Sequence, residues 1–153
     1  MFFRILILMA LIGSDPGGWA KAKWGMTEAQ LMEIGTHLRQ PDKINGVLAT
    51  TGMESVKIGP VDFRAYFVLD AKGLREVYLV PVAPSDANEV VFQAVESLLV
   101  DKYGKPWTRD RTSQWTFPTT KITLRYTELK NIGMQVLNLD YVRRDDGAVS
   151  DNY

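Results

Sequence analysis

His37 is the chain's only imidazole and therefore the first residue to test for acid–base chemistry near neutral pH. Read as part of a helix, it lies about 60° round from Ile34, at the edge of an apolar stripe. That is the place of a structural boundary histidine. Carboxylate pairs are the other route, and Asp62, Asp70 and Glu76 fall on neighbouring predicted strands, a pattern that would suit glycoside hydrolysis. Against it, Asp70 stands in a turn, where aspartate bonds nearby backbone, and Asp62 with Arg64 and Lys57 reads as a solvated sheet face. Cysteine is absent, and no G-x-S-x-G surrounds a serine nucleophile. Asp140, Asp145, Asp146 and Asp151 lack the spacing and turn glycine of a calcium loop. One histidine without thiolates cannot furnish the usual zinc sets. No catalytic residue, metal or cofactor is expected.

Binding chemistry has better material. Arg64 and Tyr66 on one predicted strand, and Lys121, Thr123 and Arg125 on another, form a polar, basic and aromatic face. Such a face suits contact with a protein or peptide, although a plainly solvated sheet face has the same composition. Trp24 and Trp107 each flank a predicted helix end, where they either cap the core or belong to a partner site. Trp115, beside Phe117 on a strand, reads as core. The candidate binding residues are therefore Arg64, Tyr66, Lys121, Arg125 and Trp107.

The elements that would carry these residues come in the same order twice. A first helix, about residues 27–39, starts at Thr27 with Gln30 as capping-box partner and Met26 with Leu31 as staple. Leu31, Ile34 and Leu38 give it one apolar face, and Gln40-Pro41-Asp42 ends it. A second helix, about 86–103, starts near Ser85 or Asp86 and buries Val91, Phe92, Val95, Leu98, Leu99 and Tyr103. Gly104 and Pro106 close it. Alternating strands follow each helix, with Phe63, Phe67, Ile122 and Leu124 facing inward. Asp70-Ala71-Lys72-Gly73 is a hairpin connection, and Asn45-Gly46 marks a turn in the region hardest to place. Gly73 to Leu79 aligns with Gly133 to Leu139 without a gap, each with a phase slip that suggests a bulge or twist at the strand start. The fold expected is α+β: a duplicated helix–three-strand unit, about 23–82 and 83–142, making one antiparallel sheet with two helices packed on one face. Chance likeness of amphipathic strands would leave the same pattern without a duplication.

The N-terminus speaks to location. Arg4, the apolar run Ile5 to Ile12 and the small, turn-prone residues 13–22 follow the order of a secretory signal peptide. Ala20-Lys21-Ala22 fits the small-x-small rule, so cleavage is expected after Ala22. A disordered or docked N-terminal segment is the alternative. Eight apolar residues cannot span ~30 Å of hydrocarbon, so no lasting membrane insertion is expected. The cut would remove Arg4 and Lys21 from the 18 basic residues and Asp15 from the 18 acidic, leaving 16 and 17. Near neutrality gives no electrostatic case for nucleic acid. Residues 143–153, charged and without an apolar period, are expected to form a flexible tail.

Trp24-Gly25-Met26-Thr27 leading into a helix, and Leu98 to Pro106 closing one, resemble helix ends in the beta-lactamase-inhibitor-protein-like group of small exported bacterial domains. That resemblance implies helices on a short antiparallel sheet and protein binding without catalysis. The chain lacks the lipid-bearing cysteine of one branch and the disulfides of the other. The function expected is a non-catalytic periplasmic or secreted domain that binds another envelope protein or peptide. A small periplasmic hydrolase using Asp62 and Glu76 is the alternative, decided by whether those two acids meet in a cleft.

Overall fold

The computed structural model describes residues 13–145. Residues 1–12, which carry the charged and apolar parts of the expected leader, and most of the expected tail lie outside the described residues. Two short strands, β1 (Gly18–Trp19) and β2 (Ala22–Lys23), form a small hairpin. The helix α1 (Glu28–Met32) follows, then β3 (Thr36–Ile44), β4 (Val47–Ile58), β5 (Val61–Asp70) and β6 (Gly73–Pro81). The helix α2 (Glu89–Tyr103) leads to β7 (Trp107–Arg109), β8 (Thr112–Thr116), β9 (Thr120–Leu129) and β10 (Met134–Arg143). The eight longer-range strands make one antiparallel sheet in the order β3-β4-β5-β6-β10-β9-β8-β7. Two four-stranded meanders thus meet along their last strands.

The expected α+β arrangement of helix–three-strand units is corrected by this architecture, which is mostly β, with 54% strand against 20% helix. The first helix stops at Met32 because Gly35 must pack tightly: a Cβ there would sit 2.6 Å from the Gly52 carbonyl oxygen and 3.0 Å from the Phe67 ring. From Thr36 the chain is extended, so Leu38 belongs to a strand and not to the helical stripe of Leu31 and Ile34. Pro41 is tolerated in β3 because β3 is an edge strand with an irregular register between His37 and Asp42. Strand β7 is likewise a strand the sequence reading does not expect, its three residues all exposed.

The second helix forms largely where its signals stand. Its cap is Asn88, whose side chain accepts from the Val91 N–H at 2.9 Å, with Asp86 left in a preceding turn of 3₁₀ helix. Gly104 ends it at φ 90°, its N–H on the Val100 carbonyl. Leu98, expected in the apolar face, is 46% exposed.

One face of the sheet holds the main core, where Phe63, Phe67, Leu79, Ile122, Leu124 and Leu139 are each at most 1% exposed. Val95 and Leu99 of α2, Leu31 of α1 and Trp19 of the small hairpin cover it. The other face is not uniformly polar as expected. Leu38, Ile44, Ala49, Tyr66 and Val68 form a second buried cluster there, with Tyr78 and Val80 packed against it. Asn45 and Gly46, at φ 50° and 82°, make the tight turn that brings β3 back on β4. On β6 an extra residue, Arg75, stands between the pairs Leu69↔Leu74 and Val68↔Glu76, whereas β10 runs against β9 without interruption. The expected tail begins inside the sheet: Arg143 is the last residue of β10 and pairs with Asp70 at 2.6 Å.

Candidate functional site

Strand register lays the outer face out in rows. Thr36, Gly52, Tyr66, Tyr78, Asp140, Thr123, Gln114 and Trp107 are successive cross-strand partners from one edge of the sheet to the other. A neighbouring row joins Arg109, Thr112, Arg125 and Asn138, and a third joins Thr116, Lys121, Val142, Glu76 and Val68. The predicted binding residues do share this face, but they fall into two groups. Tyr66 and Thr123 are three strands apart, roughly 14 Å at ~4.8 Å per strand.

The first group is built into the protein. Tyr66 is 5% exposed and packs in the second cluster. Arg64, half-buried, forms an ion pair with Glu54 at 3.3 Å. The Tyr66 hydroxyl, and then the Glu54 charge, hold its guanidinium above the ordinary range. The second group is open. Arg125 is exposed, Lys121 is half-buried, and Trp107 is 57% exposed on the edge strand. Arg109 stands beside Trp107 on the same face, with Asp110 at 3.6 Å from its guanidinium.

Between the groups lies a feature that sequence reading missed. Glu76, 2% exposed on β6, accepts from the Asn45 amide at 3.1 Å and 3.3 Å. Asp140 on β10 is its neighbour across the central seam. Burial, and then the Glu76 carboxyl bonded to it, push Asp140 up to about 9. Arg125 and Arg75 pull the other way without prevailing. At neutral pH Asp140 is therefore protonated and adds no negative charge to this face. The only advance signal was an acid set among apolar neighbours on each of two strands, Glu76 beside Val77 and Asp140 between Leu139 and Tyr141.

The other predicted acids do not assemble. Asp62 is exposed at the start of β5, opposite Lys57, and stands six residues along the strand from Val68, the partner of Glu76. That is roughly 20 Å at ~3.3 Å per residue, so Asp62 and Glu76 do not meet in a cleft. His37 is exposed on the edge strand β3, paired with Thr51. Trp115 is buried and donates to the Gly104 carbonyl at 2.7 Å, and Trp24 donates to the Thr120 hydroxyl at 2.9 Å. Among the described residues no group of three or more His, Cys, Asp and Glu could hold a metal, and no helix is long and apolar enough to cross a membrane.

A concavity of about 290 Å³ lies on the core side, roofed by the small hairpin and lined by Trp19, Ala22, Ile34, Met53, Val56 and Phe67, with Ala20 and Lys21 at its rim. It sits just below the ~300 Å³ at which small-molecule pockets begin. Comparison of the chain with protein-family models, with curated proteins and with solved structures finds no match in any of the three.

Proposed function

We propose that this chain is an exported, non-catalytic domain that binds a protein or peptide segment of the cell envelope on the open end of its outer sheet face. The observation that carries the reading is Trp107, more than half exposed on edge strand β7 and two strands, roughly 10 Å, from Lys121 and Arg125. An exposed tryptophan beside guanidinium groups is the composition of an interface hot spot. Asp140, pushed up to about 9, adds no negative charge beside Arg125 at neutral pH, which favours an acidic partner. Export rests on the order of charge, apolar run and small residues at the N-terminus.

The test is capture from an envelope extract by the intact protein, with Trp107→Ala and Arg125→Ala alongside. Both residues are exposed, so both variants should fold normally while capture weakens by about tenfold or more. Recovery of no partner, or equal capture by the double variant, would overturn the reading.

A further inference from the structure

The bond expected to be cut on export, Ala22–Lys23, lies inside strand β2, whose partner strand β1 would be discarded with the leader. The residues before that bond are tied to the rest of the fold at three levels. Asp15 accepts from the Gly17 N–H at 3.0 Å, the Thr119 N–H at 2.6 Å, and the Thr119 and Thr120 hydroxyls at 2.8 Å and 2.9 Å. Burial would raise its pKa, but these bonds outweigh it and hold the carboxyl below its ordinary value. Trp19, 9% exposed, meets Phe67 with ring centroids 6.4 Å apart. Trp24, beyond the bond, donates its N–H to the Gly17 carbonyl before it at 3.1 Å, and the Lys23 ammonium donates to the Pro16 carbonyl at 3.2 Å.

The small residues of the apparent recognition motif have a structural cause. Ala20 takes the turn in the left-handed region at φ 51°, and Ala22 is 1% exposed beneath it. A side chain at Gly18 would collide with the Ala22 backbone. We propose that Ala20-Lys21-Ala22 is the tip of a structural hairpin and not a processing site, so that residues 15–22 stay in the mature protein and any leader is removed on the N-terminal side of Asp15. Without that hairpin Phe67, Met53 and Val56 lose their roof. The inference rests on the export reading only for the position of the cut; the structural role of the hairpin stands apart from it.

The experiment expresses the full-length chain and Trp19→Ala in an exporting host, then measures the intact mass, first residue and Tm of the released protein. The expected first residue lies at or before Asp15, and Trp19→Ala should show its mass change in the released protein with Tm lowered by about 10 °C. A first residue of Lys23, with variant and parent identical in mass and Tm, overturns the inference. A chain that keeps Met1 inside the cell defeats the export reading instead, and the Tm of Trp19→Ala then decides the hairpin's role: a fall supports it and no change overturns it. If Trp19→Ala is not recovered, Trp19→Phe gives the same mass readout.

Discussion

Asp140 sits on a central strand beside Glu76, and its titration should mark how stability responds to pH. An ordinary aspartate in the unfolded chain has a pKa near 3.8, and Asp140 in the fold is pushed up to about 9 by burial and then by Glu76. Between those values the folded state holds a proton that the unfolded state has released. The stability this group contributes is therefore fully present below pH ~4 and is lost as pH rises toward 9, by at most about 1.4 kcal/mol per unit. The groups facing it are Glu76 and Tyr78 on β6, Arg125 on β9 and Arg75 at the bulge, with Asn45 held on Glu76 from the β3–β4 turn. Asp140→Asn keeps a hydrogen-bonding side chain and removes the titration. The variant should match the parent near pH 4 and exceed it in Tm at pH 8. Parallel Tm curves across that range would show that Asp140 is not raised in the fold. Asp15 works with the opposite sign: its lowered pKa gives stability that is present above pH ~4 and lost as the pH falls below it.

Elements with strong ends were readable from sequence; elements defined by tertiary contact were not. Helix α2 shows a cap, an apolar face and a closing glycine, and it forms within a few residues of where they stand. The β5–β6 hairpin announces itself through Asp70 and Gly73, whose carboxylate and left-handed backbone make the turn. Strand β3 has no such signature. Of its nine residues only Leu38 and Ile44 are buried, and a bulge between them breaks the alternation that would have marked a strand. Leu31, Ile34 and Leu38 match a helical period, and Gly35, whose packing decides the matter, gives no sign of that packing in the sequence. The substitution Gly35→Ala separates the two pictures by sign. In an exposed helix it would stabilise by about 1 kcal/mol. Here the added carbon meets the Gly52 carbonyl and the Phe67 ring, and overpacking should cost about 1–3 kcal/mol. Urea denaturation of parent and variant reads the difference, and a stabilised variant would refute the strand.

At the scale of the whole molecule, the two meanders touch through one seam, where Leu139 to Val142 of β10 pair with Glu76 to Leu79 of β6. Four pairs of backbone partners alone would make a weak joint. The core beneath them is continuous, however: Phe67, Val77 and Leu79 from one half share a cluster with Leu124, Leu137 and Tyr141 from the other. Helix α2 adds Val95 and Leu99 to that cluster and packs on β9, while α1 packs on β4, so each half carries its own helix into a common interior. Neither half can open without exposing residues of the other, which predicts a single cooperative transition. The tryptophans give the means to see it. Trp19 lies against Phe67 in the first half, and Trp115 is buried on β8 in the second. Chains retaining only one of these two emitters, with the other and both Trp24 and Trp107 replaced by phenylalanine, should report the same urea midpoint as far-ultraviolet circular dichroism within each chain. Midpoints that separate between fluorescence and dichroism would mean that the halves unfold independently, and that the β6–β10 seam joins two domains in place of crossing one.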